Sequence, residues 1–111
     1  MIDTSNGTNF YRIYEDCINA KEFPQLNTSK GTNFAYMYYN CISALKVSDI
    51  SLLSIDINNI TSNLHKMLYN CNSLSRIVFY DVPTEITEEQ LRKITYAPKT
   101  VNFTISYKIK K

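Results

Sequence analysis

The side chains best suited to metal or nucleophilic chemistry in this chain are three cysteines and one histidine. The cysteines are Cys17, Cys41 and Cys71, and the histidine is His65. Thiolates and an imidazole could bind zinc or form a nucleophile–base pair. However, there is no C-x-x-C pair, the number of cysteines is odd, and no histidine lies at ligand spacing. We therefore predict small buried side chains for the cysteines and a surface position for His65.

Paired carboxylates occur at Glu88 and Glu89, and such pairs can serve general acid–base catalysis. They lie between Thr87 and Gln90, which is the pattern of a capping box at the start of a helix. Acidic residues in a first turn are stabilised by the positive end of the helix dipole, so we interpret this pair as a helix start. The sequence contains no other catalytic arrangement and predicts a protein that is not an enzyme, with no cofactor and no metal.

Four tyrosines give the sequence its one signal of recognition: Tyr11, Tyr36, Tyr39 and Tyr69 lie outside the predicted core positions. Tyr39 and Tyr69 are equivalent in the internal repeat described next, so we expect them side by side, with Tyr36 close. Tyrosine is enriched at recognition surfaces because it combines area with a polar tip. Partial burial between neighbouring elements is the alternative interpretation, since large exposed apolar patches are uncommon on monomers.

These residues belong to an internal repeat. Residues 3–20 and 27–44 align at an offset of 24, with ten of eighteen positions identical, and a looser copy covers residues 63–74. In each copy apolar residues recur at i, i+3, i+4 and i+7, ending at the cysteine, which favours an amphipathic helix. The predicted helices lie near residues 8–17, 32–41 and 62–71.

The helix ends are predicted from flanking residues. We expect Thr8 and Thr32 to be N-caps, and Asn40 and Asn70 to close their helices in the left-handed conformation. Gly7 and Gly31 precede the caps and are expected to let the chain turn into each helix.

Extended segments follow each predicted helix. The predicted strands are Glu22–Leu26, Leu45–Ile50, Arg76–Tyr80 and Val101–Ile109. Repeats of about this period form solenoids, so we predict an α/β fold built as a short right-handed solenoid with a mostly parallel sheet. Residues 1–80 would hold three repeats, and residues 81–111 a diverged capping unit. The strand Arg76–Tyr80, a helix over Thr87–Thr95 and the last strand would form a strand–helix–strand arrangement at this end.

The strings NTSKGTNFAYMYYNCISA and NLHKMLYNCNSL, at residues 27–44 and 63–74, resemble BspA-type leucine-rich repeats. The resemblance implies a solenoid used for adhesion or recognition, in surface proteins of bacteria and some protists or in phage proteins. It implies no reaction and no cofactor. The strands here are poor in leucine, the first contains Pro24, and about six extra residues separate the second and third copies. We therefore expect irregular strands around residues 46–60.

The predicted function is a non-catalytic recognition or adhesion module, the C-terminal piece of a larger cell-surface or phage structural protein. Its partner would be a protein or a surface glycan, and a purely structural spacer is the alternative. The scattered net charge of +2 argues against nucleic acid. No apolar run reaches membrane-spanning length, and the N-terminus lacks a signal-peptide pattern. Location at a cell surface or virion rests on the resemblance alone.

The first repeat begins without a preceding strand. We expect Phe10, Ile13 and Tyr14 to lack a neighbour on one side, so that upstream repeats or a second copy of the chain would cover this face.

Overall fold

The structure, a computed structural model, describes residues 6–109 and has an α/β fold, as predicted. Its helices and strands, in chain order, are β1 (Ile50–Ser51), a 3-10 turn (Ile57–Asn59), α1 (Ile60–Asn63), β2 (Arg76–Val82), α2 (Glu88–Thr95) and β3 (Asn102–Tyr107). The three strands form one sheet in the order β1-β2-β3, and both strand pairs are parallel. Among the described residues, no helix is long and apolar enough to cross a membrane.

The predicted strand–helix–strand unit at the C-terminal end is confirmed. Strands β2 and β3 pair in parallel with Ile77 opposite Phe103, and α2 connects them. The capping box is present: the Thr87 hydroxyl accepts from the Gln90 backbone N–H at 3.1 Å, and the Gln90 side chain accepts from the Thr87 N–H at 2.8 Å. Tyr96, at φ 57°, ends the helix in the left-handed conformation.

The first two predicted strands are mostly absent. Glu22–Leu26 is reduced to a single parallel bridge from Glu22 to Lys46, and only Ile50 of Leu45–Ile50 lies in a strand. Polar side chains replace the missing ladder, because the backbone N–H groups of Leu26 and Ser51 donate to hydroxyls instead. The Ser48 Oγ accepts from Leu26 N at 2.9 Å, and the Thr28 Oγ1 accepts from Ser51 N at 2.8 Å.

The predicted helices near residues 8–17, 32–41 and 62–71 are wrong, apart from the short α1 at the start of the third. Residues 9–17, 33–41 and 63–71, here called the three turn segments, consist mainly of consecutive turns. In the second segment, the backbone N–H groups of Met37, Tyr39 and Cys41 donate to carbonyls three residues earlier, at 3.0–3.2 Å. An α-helix would instead pair each N–H with the carbonyl four residues earlier.

Other backbone N–H groups cross between turn segments. Phe34 N donates to the Asn63 carbonyl at 2.7 Å, and Tyr36 N donates to the His65 carbonyl at 3.0 Å. The first segment binds the second in the same way, with 2.8 Å from Phe10 N to the Asn33 carbonyl. Alternate backbone donors therefore hold equivalent residues of the three segments side by side.

Left-handed residues make this alternation possible. Each turn segment has two non-glycine residues with φ between 53° and 65°, four positions apart: Arg12 and Asp16, Tyr36 and Asn40, Lys66 and Asn70. The left-handed conformation predicted for Asn40 and Asn70 is thus confirmed, although it shapes a turn and closes no helix.

The predicted roles of the threonines and glycines are not found. The Thr32 hydroxyl donates to the Thr8 carbonyl at 3.0 Å, so it links two segments and caps no helix. No glycine among the described residues has a positive φ. Gly31 is needed for space, since a Cβ atom there would lie 2.3 Å from Cζ of Phe34.

The predicted core positions are correct for the second and third segments. Their eight inward residues are all buried: Phe34, Met37, Tyr38, Cys41, Leu64, Met67, Leu68 and Cys71. The first segment is covered less completely. Phe10 is buried against Phe34 with ring centroids 5.4 Å apart, contrary to the prediction that it lacks cover, whereas Ile13 is 43% exposed.

Candidate functional site

The four tyrosines selected from the sequence meet on the outer side of the turn segments. Tyr39 and Tyr69 stack with ring centroids 5.0 Å apart and an interplanar angle of 16°. Tyr36 packs on Tyr39 at 5.2 Å, and Tyr11 meets the edge of Tyr36 at 6.0 Å. The structure thus brings all four together, with the expected pair side by side and Tyr36 close.

Two further rings extend this group. His65 lies between Tyr36 and Tyr96, with centroid distances of 5.6 Å to each, and Tyr96 also contacts Tyr69 at 6.3 Å. We call the six rings the aromatic ribbon: Tyr11, Tyr36, Tyr39, His65, Tyr69 and Tyr96. Sequence reasoning missed Tyr96 because it follows the capping helix, outside the repeat. Sequence reasoning predicts only a surface position for His65, although the alignment of His65 with Tyr11 already suggests an aromatic column.

The cross-segment bonds explain why the ribbon is continuous. They place residues of equivalent sequence position next to each other, as in the column formed by Tyr11, Ala35 and His65. A second column contains Arg12, Tyr36 and Lys66, all three in the left-handed conformation. Side chains at these positions are exposed or half-buried, apart from Ala35, which is buried.

Two cations lie against the ribbon. The Arg12 guanidinium carbon is 4.1 Å from the centroid of Tyr36 and 4.9 Å from that of Tyr11. The Lys66 ammonium lies 5.7 Å from the Tyr69 ring and 5.4 Å from the Tyr96 ring. A cation over an aromatic ring is attracted by the negative face of the ring. Each of these two cations therefore bridges two neighbouring rings.

The ribbon is accessible in part. Tyr11, Tyr69 and Tyr96 are 41%, 40% and 47% exposed, while Tyr36, Tyr39 and His65 are half-buried against their neighbours. The packing of rings on one another agrees with the partial-burial interpretation, and the exposed faces leave an aromatic surface open to a ligand. Binding by Tyr11, Tyr36, Tyr39 and Tyr69 remains a prediction.

The three cysteines are all free thiols. The Cys41 thiol donates to the Tyr14 carbonyl at 3.0 Å, and the Cys71 thiol donates to the Tyr38 carbonyl at 3.1 Å. Burial raises the pKa of Cys41 to about 11 and that of Cys71 to about 12. These two thiols therefore stay protonated near neutral pH, which suppresses nucleophilic and metal-binding chemistry. Cys17 is only half-buried.

A row of side-chain amides runs along the other margin of the turn segments. The Asn40 amide donates to the Asp16 carboxylate at 3.1 Å, and the Asn70 amide donates to the Asn40 side-chain carbonyl at 2.7 Å. All three residues are left-handed, so the same positions both shape the turns and bind the segments together.

No group of three metal-ligating side chains occurs within residues 6–109. His65 meets the rings of Tyr36 and Tyr96, and Glu88 forms an ion pair with Arg92 at 2.8 Å on the same helix. Comparison with family models, curated proteins and solved structures finds no match. The function is therefore inferred from the chemistry of the site.

Proposed function

We propose that this chain is a non-catalytic recognition module whose aromatic ribbon binds a protein or a surface glycan. The observation that carries the proposal is the unbroken contact of six aromatic rings, five on the three turn segments and the sixth, Tyr96, at the end of α2, flanked by Arg12 and Lys66. Aromatic rings fixed by their neighbours lose little conformational entropy on binding, and they provide both apolar area and polar edges.

The proposed architecture is a short solenoid of the BspA-like leucine-rich type, capped by the β2–α2–β3 unit. Two observations support it: backbone bonds join equivalent positions of successive segments, and every strand pair and bridge among the described residues is parallel. Each repeat buries its apolar face against the next, as stacking of repeats requires. The sequence resemblance to that family favours the same arrangement.

The wider setting follows from the resemblance. We propose that the chain is the C-terminal part of a larger cell-surface or phage structural protein and that upstream repeats or a second copy cover its first segment. The 43% exposure of Ile13 on that segment supports the need for a neighbour.

A structural spacer is the second candidate. The observation in its favour is that Tyr36 and Tyr39 are half-buried and pack on each other at 5.2 Å, so part of the ribbon stabilises the fold itself. A spacer would need the ribbon only for this packing.

Replacement of Tyr36, Tyr39 and Tyr69 together by serine separates the two candidates. We expect the variant to remain folded and to lose binding to host-cell surfaces or to an array of surface glycans. Tyr107→Ser is the matched control, because Tyr107 is 44% exposed on β3, close to the 40% of Tyr69, and lies outside the ribbon.

The spacer is favoured if the folded triple variant binds as the unaltered chain does, or if the unaltered chain binds neither surface. Where the triple variant unfolds, Tyr69→Ser alone decides the question, because this ring is exposed and its loss removes less packing.

A further inference from the structure

We propose that the cleft between Tyr11 and His65 is a binding site for the ring of a sugar, such as the terminal pyranose of a surface glycan. The inference rests on the proposed recognition function and specifies the ligand class for one part of the ribbon. It follows from the shape of the cleft, its aromatic walls and its unused hydrogen-bonding groups.

The cleft exists because one member of an aromatic column is small. Tyr11, Ala35 and His65 occupy equivalent positions in the three turn segments, and the central position holds a methyl group where its neighbours hold rings. The gap above Ala35 has a volume of about 430 Å³, within the range of roughly 300–1,000 Å³ typical of ligand sites. Tyr36 forms a third aromatic wall.

The rest of the lining is polar and uncharged. It consists of Asn33 and Asn63, which are equivalent in the repeat, and of Thr61 and Ser62 from α1. The Asn33 side-chain carbonyl accepts from Ala35 N at 3.0 Å, which fixes the orientation of that amide. Within residues 6–109, no hydrogen-bond partner exists for the Asn33 side-chain NH₂, the Asn63 amide or the two hydroxyls.

A pyranose can pack on the aromatic walls of the cleft and also form hydrogen bonds with its polar groups. Its C–H groups present an apolar face that packs on an aromatic ring, and its hydroxyls donate to and accept from amides and hydroxyls. A purely apolar ligand would leave the polar groups desolvated and unpaired, at a cost of about 1–3 kcal/mol each. No carboxylate is among the residues that line the cleft, and Arg12 lies against two of its walls, with the guanidinium carbon 4.9 Å from the Tyr11 centroid and 4.1 Å from the Tyr36 centroid.

The first test is an NMR titration of the full isotope-labelled chain with cellobiose, lactose, maltose and diacetylchitobiose as probes. We expect at least one to shift the amide resonances of Asn33, Tyr36 and Asn63 at millimolar concentration. The inference is overturned if no probe shifts these resonances or if the shifts map elsewhere.

Two cleft variants and one ribbon variant complete the test. Ala35→Tyr should fill the gap, as Tyr11 does at the equivalent position, and should weaken sugar binding by about tenfold or more. Thr61→Ala with Ser62→Ala should weaken it without affecting the fold, because both side chains are exposed. Retention of full sugar affinity by either cleft variant would contradict the assignment.

Tyr69 lies outside the cleft, so the substitution Tyr69→Ser distinguishes this inference from the proposed function. It should leave sugar binding unchanged while it weakens binding of the whole chain to a surface. If the surface partner depends on Tyr69 and no sugar enters the cleft, the recognition function stands and the sugar site does not. If sugar enters the cleft and Tyr69→Ser has no effect on surface binding, the ribbon proposal fails instead.

Discussion

The turn segments and the C-terminal β2–α2–β3 unit satisfy their backbone hydrogen-bonding groups in two different ways. Both must place a chain segment beside its neighbour and satisfy every backbone N–H group. In the C-terminal unit, α2 satisfies most of its N–H groups internally, and the strands pair through a parallel ladder. In the turn segments, some donors bond three residues back, and others cross to the next segment or, from the third segment, to the Ile94 and Thr95 carbonyls of α2.

This difference has a consequence for function. A helix keeps its neighbours at the distance of side-chain packing, about 8–10 Å between axes. Turn segments joined by backbone hydrogen bonds lie much closer, at roughly the 4.8 Å spacing of paired strands. Equivalent side chains therefore stack ring on ring, as Tyr39 and Tyr69 do at 5.0 Å. The aromatic ribbon depends on turns in place of helices.

Thiol labelling should show the largest effect. We expect Cys71, which is fully buried, to react with a thiol reagent at pH 8 at least about a thousandfold more slowly in the folded chain than in denaturant, because reaction requires unfolding. Cys17 is half-buried and should be the first thiol modified. The single substitutions Cys17→Ser and Cys71→Ser show which labelling reaction belongs to each of these two thiols. Rapid labelling of Cys71 would mean that the turn segments open readily.

The same thiols make the free energy of unfolding depend on pH. Burial raises the pKa of Cys41 to about 11 and of Cys71 to about 12, above the ordinary value of 9.0, so folding favours the protonated form. Their contribution to stability is complete below about pH 9 and is lost as the pH rises toward 11–12. Urea denaturation at several pH values measures this, and Cys71→Ala should reduce the slope above pH 9. An identical slope in the variant would contradict the assignment.

Gly31→Ala should destabilise the chain by about 1–3 kcal/mol, because the new Cβ would overlap the Phe34 ring. That Cβ would lie 2.3 Å from Cζ and 2.8 Å from Cε1 of the ring. Urea denaturation gives the free energy of unfolding. In a double-mutant cycle, Phe34→Leu removes the overlapped atoms and should make Gly31→Ala less costly. Equal costs in both backgrounds would show that the close approach is not the cause.

Substitutions of Asn40 test the turn directly. Both Asn40→Ala and Asn40→Gly lose the amide bonds to Asp16 and Asn70, but only glycine accepts the φ of 62° without strain. We expect the glycine variant to be more stable by about 1–2 kcal/mol.

The control lies on the exposed face of α2. Lys93→Ala should be more stable than Lys93→Gly there, by about 0.5–1 kcal/mol, as in any helix interior. The same order at both positions would restore the helix prediction for residues 32–41.

The smallest effect concerns the helix cap. Thr87→Ala should cost about 1 kcal/mol, because it removes the acceptor for Gln90 N at 3.1 Å. Chemical denaturation checks the value. Thr104→Ala, at an exposed position on β3, is the control and should change stability less. A larger effect at Thr104 would mean that the cap does little for this unit.

The sequence was sufficient for the core of the second and third turn segments and for the C-terminal unit. The apolar spacing identified Phe34, Met37 and Tyr38 as inward residues, and the Thr87–Gln90 pattern located the start of α2. The same spacing could not distinguish turns from helices, because both place residues i, i+3, i+4 and i+7 on one side. The choice depends on the left-handed conformation, and only Asp16, Asn40 and Asn70 of the six left-handed residues are of types that favour it; Arg12, Tyr36 and Lys66 are not.

The ribbon was partly predictable for a related reason. The repeat alignment was enough to pair Tyr39 with Tyr69, since equivalent residues become neighbours in any stack. Tyr96 lies beyond the repeat, and the cleft above Ala35 depends on how closely the segments approach. The prediction of the first two strands is mostly wrong because the hydroxyls of Thr28 and Ser48 accept hydrogen bonds from backbone N–H groups that a β-ladder would have used.

Scalar couplings across hydrogen bonds, measured by NMR on the deuterated chain, test the central claim most directly. The account predicts correlations from Tyr36 N to the His65 carbonyl carbon and from Tyr38 N to the Met67 carbonyl carbon, across bonds of 3.0 and 3.1 Å. Correlations from Tyr38 N to the Phe34 carbonyl would instead indicate an α-helix, and would contradict the stacked turns on which the aromatic ribbon depends.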